Sequence, residues 1–254
     1  MLPESPQRTE RTNGAPLRAP EPPVEPGTMS ILEHLEELRQ RIIIAIIALI
    51  VGLVISAFLL TQRVMEWLVE PAGVQLINLT PPEVFTAYFK VALATGTALA
   101  LPVILYEALM FVVPALTPRE KRYVYLAVPG ATLCFAVGVT FGYFFLLPAG
   151  LKFLREFSGG LIVPMWSVGP YLKFVSTLLF WIGVCFELPL VMFFLAKLHV
   201  VNTQKLSHFR RYAILLAFII GAFVAPSPDP ISQTMVAVPV YLLYELGLLL
   251  TRVA

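Results

Sequence analysis

Charge is scarce in this chain. Only 13% of its 254 residues are Asp, Glu, Lys or Arg, against 58% hydrophobic residues and a mean hydropathy of +0.81. A water-soluble domain of this length has too little interior to hide so much apolar surface. The soluble classes are therefore excluded, and a polytopic α-helical membrane protein remains. Cysteine is scarcer still: Cys134 and Cys185 both lie inside apolar runs, where a thiol packs as a small hydrophobe, so no disulfide is implied. The three histidines, His34, His199 and His208, are dispersed. No G-x-x-x-x-G-K-[ST] is present for a nucleotide-driven pump, and neither H-E-x-x-H nor G-x-S-x-G for a hydrolase. The two halves show no internal repeat, which counts against a repeat-built secondary transporter.

The apolar runs that remain are long. Residues 1–28 stand apart from them: seven of the 22 prolines fall here, and the segment reads as a disordered cytoplasmic tail without the apolar core of a signal peptide. The six-helix transmembrane domain is expected over 29–254. Ser30 and Glu33 form a capping box, and Ile31, Leu35, Leu38 and Ile42 recur at helical spacing, so a short amphipathic helix is predicted at the membrane surface. A span over Ile42–Leu60 follows directly. Thr61–Val84 is too mixed to span; Trp67 and Leu68 suggest an interfacial helix there, broken by Pro71, Pro81 and Pro82. Further spans are predicted at about Phe85–Val113, with a kink at Pro102, and at Tyr123–Gly150, where Gly138 and Gly142 permit close packing. A second long external loop is expected over Leu151–Pro170. The last two spans share the residues between Arg211 and Arg252 around the turn Pro226–Pro230. That leaves about 17 residues each, roughly 26 Å, so both are expected to be short.

Tyr171–Leu198 is the fourth span, and it holds Glu187 deep inside. An ionised carboxylate at the bilayer centre costs about 2.5–3.5 kcal/mol. Pro189 follows two residues later and cannot donate to the carbonyl of Cys185, so the helix is expected to bend there. A polar residue tolerated in a wet crevice is one reading; an intramembrane functional site is the other.

The placement of charge sets the topology. Of the 18 Lys and Arg residues, 13 fall before the first span, in 117–122, in 197–211 and at Arg252; the opposite side, with Lys90 and Lys173 included, holds five. The positive-inside rule places both termini in the cytoplasm. Acids also collect on that side: Glu33, Glu36 and Glu37 before the first span, Glu107 near its neighbour's end, and Glu120 in the first cytoplasmic loop. Solvated surface charge accounts for such residues, but carboxylates beside a membrane also suit capture of guanidinium groups, which they bind bidentately.

Five blocks in order carry a resemblance. They are His34-Leu-Glu-Glu-Leu-Arg39; Leu101-Pro-Val-Ile-Leu-Tyr106; Phe111-Val-Val-Pro-Ala-Leu116 with Glu120-Lys-Arg122; Phe186-Glu-Leu-Pro189; and Pro228-Asp-Pro-Ile-Ser-Gln233 leading to Tyr244-Glu-Leu-Gly247. With six spans and two short final helices, the chain resembles the TatC family, the multispanning receptor of the twin-arginine protein translocase, over about Met29 to Arg252. The resemblance implies a non-enzymatic receptor that binds paired-arginine signal peptides and helps move folded proteins across the cell (inner) membrane on the proton-motive force. It implies TatA- and TatB-type single-span partners and homo-oligomers within the complex, and neither a cofactor, a metal nor a nucleic-acid partner. By motif, Glu120 resembles the main contact for the arginine pair, with Glu37, Arg39, Phe111, Leu116 and Arg122 around it. Glu187 resembles the family's intramembrane acid and Asp229 the acid of the last external loop. Ser227 stands where the family more often has a second proline, and the chain ends soon after Arg252. Two other classes compete: an ion-coupled small-solute transporter with Glu187 as proton carrier, and an inert membrane scaffold.

Overall fold

A computed structural model describes residues 31–112, 118–157, 159, 165–197, 201–225 and 229–252, with the backbone alone at 31, 112 and 118–124. The expected tail, the capping residue Ser30, Leu116, His199 and Ser227 lie outside the described residues. The described elements are helical apart from a single bridge between Ile77 and Ser167.

The first two predicted helices are one. Helix α1 (Ile31–Ile55) carries the amphipathic start straight into the span, with no break at Arg41. Its apolar side chains from Ile42 to Ile55 are largely exposed, as suits a helix set against lipid. A π-helical turn over Ser56–Leu60 then leads into α2 (Thr61–Val69). The extra residue of a π turn disturbs the backbone ladder. Side-chain hydroxyls reinforce it here: Thr61 Oγ1 donates to the Ser56 carbonyl at 2.8 Å, and Tyr88 donates to that of Ala57. The Thr61–Val84 segment is therefore helical at its start, more ordered than an external loop. Trp67 is exposed and Leu68 buried, as an interfacial helix requires, and α2 ends at Glu70–Ala72 with Gly73 at φ 63°.

Helix α3 (Glu83–Val112) runs through Pro102. It crosses α1 at two glycines. A Cβ on Gly52 would stand 2.5 Å from the Gly96 carbonyl oxygen, and one on Gly96 would stand 2.7 Å from Leu53 Cα. In lipid no hydrophobic effect drives helices together, so such close backbone approach supplies the contact. Helix α4 (Pro118–Phe141) passes through a second π turn, Gly142–Leu146, into α5 (Leu147–Glu156). The third span thus extends past its predicted end at Gly150: Pro148 follows directly on the π turn, and the helix runs on to Glu156.

The core gathers on α6 (Val168–Cys185), where ten of 18 residues are buried. Gly138 of α4 and Gly142 of the π turn face it: a Cβ on Gly138 would meet Phe186 at 2.8 Å and Gly183 Cα at 2.9 Å, and one on Gly142 would meet Leu179 at 2.9 Å. The chain then turns at Phe186 and Glu187 and resumes as α7 (Leu188–Lys197). The Glu187 N–H bonds the carbonyl of Val184 at 3.0 Å, three residues back, so the expected bend at Pro189 is a break in the helix. After the short α8 (Thr203–His208), capped by Asn202, come α9 (Arg210–Val224) and α10 (Pro230–Leu250). The division between these two is unequal, at 15 and 21 residues rather than 17 each. Asp229 and Pro230 start α10 early and lengthen it. At about 22 Å, α9 is shorter than the ~30 Å hydrocarbon core. It leans on α10: a Cβ at Gly221 would meet the Gln233 carbonyl at 2.7 Å, and Gln233 Nε2 donates to the Phe218 carbonyl at 2.7 Å.

One carboxylate ties two helix starts together. Glu83 accepts from the N–H groups of Leu79 (2.9 Å) and Thr80 (3.3 Å) before α3, and from Gly169 N–H (2.7 Å) and the Ser167 hydroxyl at the start of α6. The Glu83 carboxylate reaches back to the Thr80 N–H while the Glu83 N–H donates to the Thr80 carbonyl, and the carboxylate faces the positive ends of two helix dipoles at once. The N-termini of α3 and α6 therefore lie side by side.

Candidate functional site

Two groups of polar side chains stand out within the apolar bundle. The first joins α1 to α3. On α1, His34, Glu37 and Arg41 share a face by their spacing of three and four residues; on α3, Glu107 and Phe111 do the same. Arg41 Nη2 donates to Glu37 Oε1 at 3.2 Å, and Arg41 Nη1 donates to Glu107 Oε2 at 2.9 Å. Glu107 is 6% exposed, so its carboxylate depends on that guanidinium. The His34 ring stacks on Phe111, with centroids 4.3 Å apart and planes 17° apart. Glu37 Oε2 lies 3.8 Å from His34 Nδ1, is buried, and has no hydrogen-bond partner. Two carboxylates thus share one guanidinium, and one buried acceptor oxygen is open. A second cationic donor is the group this arrangement lacks.

Of the residues that sequence assigns to signal binding, Glu37 and Phe111 meet here. Arg39 is exposed on another face of α1. Glu120 and Arg122 lie on the first turns of α4 by their backbone, and Leu116 is outside the described residues. The sequence reading placed Glu107 among the acids of this side but gave it no partner. It also missed Arg41 as the residue that binds Glu107. The signal was available: an acid inside an apolar span calls for a cation, and Arg41 stands four residues after Glu37.

The second group is Glu187 alone. It is 7% exposed, at the break between α6 and α7, and its Oε1 is buried without a hydrogen-bond partner. It does not line the cavity of about 780 Å³ between α2, α3, α4 and α6, whose walls include Trp67, Thr95, Phe135, Thr140 and Ser176. Asp229 is the N-cap of α10; its Oδ1 accepts from Ile231 N–H at 3.0 Å and Ser232 N–H at 2.7 Å. A polar pair beyond the sequence reading joins α9 to α10: Arg210 donates to Glu245 at 2.8 Å, and Tyr241 donates to the other Glu245 oxygen at 2.7 Å.

Residues 33–239 match the family described as Sec-independent protein translocase protein (TatC). A TatC of Aquifex aeolicus is 42% identical over 233 residues, which cover 89% of this chain and 96% of that protein. The chain belongs to the TatC family. A chloroplastic TATC from Pisum sativum is 34% identical over 89% of this chain and 65% of its own length. A crystal structure described as the twin arginine translocase receptor TatC superposes with a TM-score of 0.79 at 40% identity, over 87% of this chain and 99% of that one. As a TatC family member, the chain is a multi-pass membrane protein of a protein-transport system, and this is not a catalytic family.

Proposed function

We propose that this chain is the receptor subunit of a twin-arginine translocase. In this reading its α1–α3 rim, with Glu120, binds the paired arginines of a signal peptide. The observation that carries it is the open oxygen of Glu37: buried, unpartnered, and beside a guanidinium already shared with Glu107. An arginine from a signal peptide has the planar fork that such carboxylates accept. By motif, Glu120 is taken as the principal contact, and Arg39, Phe111, Leu116 and Arg122 are assigned to the same binding role. The apolar part of the signal then lies along the spans. TatA- and TatB-type single-span subunits dock on the lipid-facing surfaces, further copies of this chain join the complex, and the proton-motive force drives transport. Both termini are cytoplasmic, in an inner membrane, because 13 of the 18 Lys and Arg residues fall on that side.

The transporter alternative draws no support from Glu187, which does not line the 780 Å³ cavity. The test is co-purification of the full-length protein with a folded reporter bearing a paired-arginine signal, beside the same reporter with paired glutamines. Retention of the first alone is expected; equal retention of both contradicts the assignment. For topology, a cysteine replacing Ser207 is expected to resist an impermeant external reagent in intact cells.

A further inference from the structure

Lys90 and Lys173 run against the charge pattern. They stand on the side that holds only five of 18 cations, and both lie inside helices rather than in loops. Lys90 is seven residues into α3 and Lys173 five into α6, about 10 and 7.5 Å from the helix starts. Helix α3 is about 45 Å long, roughly 15 Å more than a ~30 Å hydrocarbon core, so its first turns have length to spare for the headgroup layer. Helical side chains lean toward the N-terminus of their own helix. Since Glu83 holds the two N-termini together, both ammonium groups lean toward the same headgroup layer.

The two lysines line one cavity of about 480 Å³, together with Thr80, Thr86 and Ser167. Among the described residues neither has an ion-pair partner. The carboxylate in this cavity, Glu83, already accepts from Leu79, Thr80, Ser167 and Gly169. It offsets one positive charge and leaves a net charge of +1 in the cavity. Beside Thr86 and Lys90, one step around α3, Phe85 and Phe89 present exposed rings 4.7 Å apart toward the lipid. A ligand that satisfies both features carries an anionic group and an apolar tail.

We propose that Lys90 and Lys173 bind the phosphate headgroup of an anionic phospholipid, with its acyl chains along Phe85 and Phe89. The site needs the two helix starts on one side of the membrane and is independent of which side that is. It is independent, too, of signal-peptide binding at the opposite rim.

The test is native mass spectrometry of the full-length protein in detergent, with equal amounts of phosphatidylglycerol and phosphatidylcholine added. The wild type is expected to retain phosphatidylglycerol preferentially. Each lysine near a membrane surface contributes enough for roughly a fivefold effect, so Lys90→Gln with Lys173→Gln is expected to lower that retention more than tenfold. The double Lys→Arg variant, which keeps both charges, is expected to keep it. An unchanged melting temperature of the Gln variant separates lost binding from lost fold; if it unfolds, the Arg variant and each single Gln variant carry the comparison. Equal retention of the two lipids, or full retention by folded Gln variants, overturns the proposal. Displacement of the lipid by millimolar inorganic phosphate overturns it in favour of a free-anion site.

Discussion

Arg41 on α1 reaches across to Glu107 on α3, with Nη1 2.9 Å from Oε2, over a separation of 66 residues in sequence. Arg41→Gln leaves the buried Glu107 without its cation. The expected cost is about 1.5–3 kcal/mol, the range for hydrogen bonds to charged groups. It falls toward the lower end because the Arg41 side chain is 24% exposed and partly screened. Adding Glu107→Gln removes the stranded charge and is expected to recover part of the loss. Thermal unfolding in detergent of both single variants and the double variant measures this; additive losses contradict the pairing.

Glu83 and Gly169 fit together so closely that a Cβ on Gly169 would stand 2.7 Å from Glu83 Cγ. Gly169→Ala is therefore expected to push the carboxylate off its donors and cost about 1–3 kcal/mol, as overpacking does. Glu83→Ala strands the N–H groups of Leu79 and Gly169 and is expected to cost at least as much. The melting temperatures of the two variants check this; a wild-type value for Gly169→Ala contradicts it.

Glu187 has an unpartnered buried oxygen at the helix break. Glu187→Ala removes a group that is costly at that depth, so the fold is expected to survive. Transport of a folded reporter is expected to fall while signal-peptide binding, at the rim, is unchanged. Glu187→Gln keeps a hydrogen-bonding group and is expected to be milder. Normal transport by the Ala variant returns Glu187 to a tolerated polar residue.

The helices were legible because apolar runs and their interruptions are local. Pro189 marked the break beside Glu187, Gly138 and Gly142 marked the contact with α6, and Pro71 marked the end of α2. The continuity of α1 into α2 was not legible, since the apolar run stops at Thr61 and a π turn that carries the helix onward leaves no mark in the sequence. Nor were the side-chain ties. Glu83 meets Gly169 across 86 residues, and its sequence context is that of an ordinary helix start. The rim was half legible: Glu37 and Phe111 came from motifs, whereas Arg41 and Glu107 became partners only when α1 and α3 crossed at Gly52 and Gly96.

The central claim is that carboxylates at the start of α1 and of α4 capture an arginine pair. Titration of the full-length protein with a paired-arginine signal peptide tests it most directly, for the wild type, Glu120→Gln, Glu120→Asp and Glu37→Gln. Glu120→Gln is expected to weaken binding by about 1.5–3 kcal/mol. Glu120→Asp is expected to retain part of the affinity, because the charge remains, and Glu37→Gln to lose less, because Glu107 stays beside Arg41. Added salt is expected to weaken wild-type binding by screening. Equal affinity of the wild type and Glu120→Gln would contradict the account.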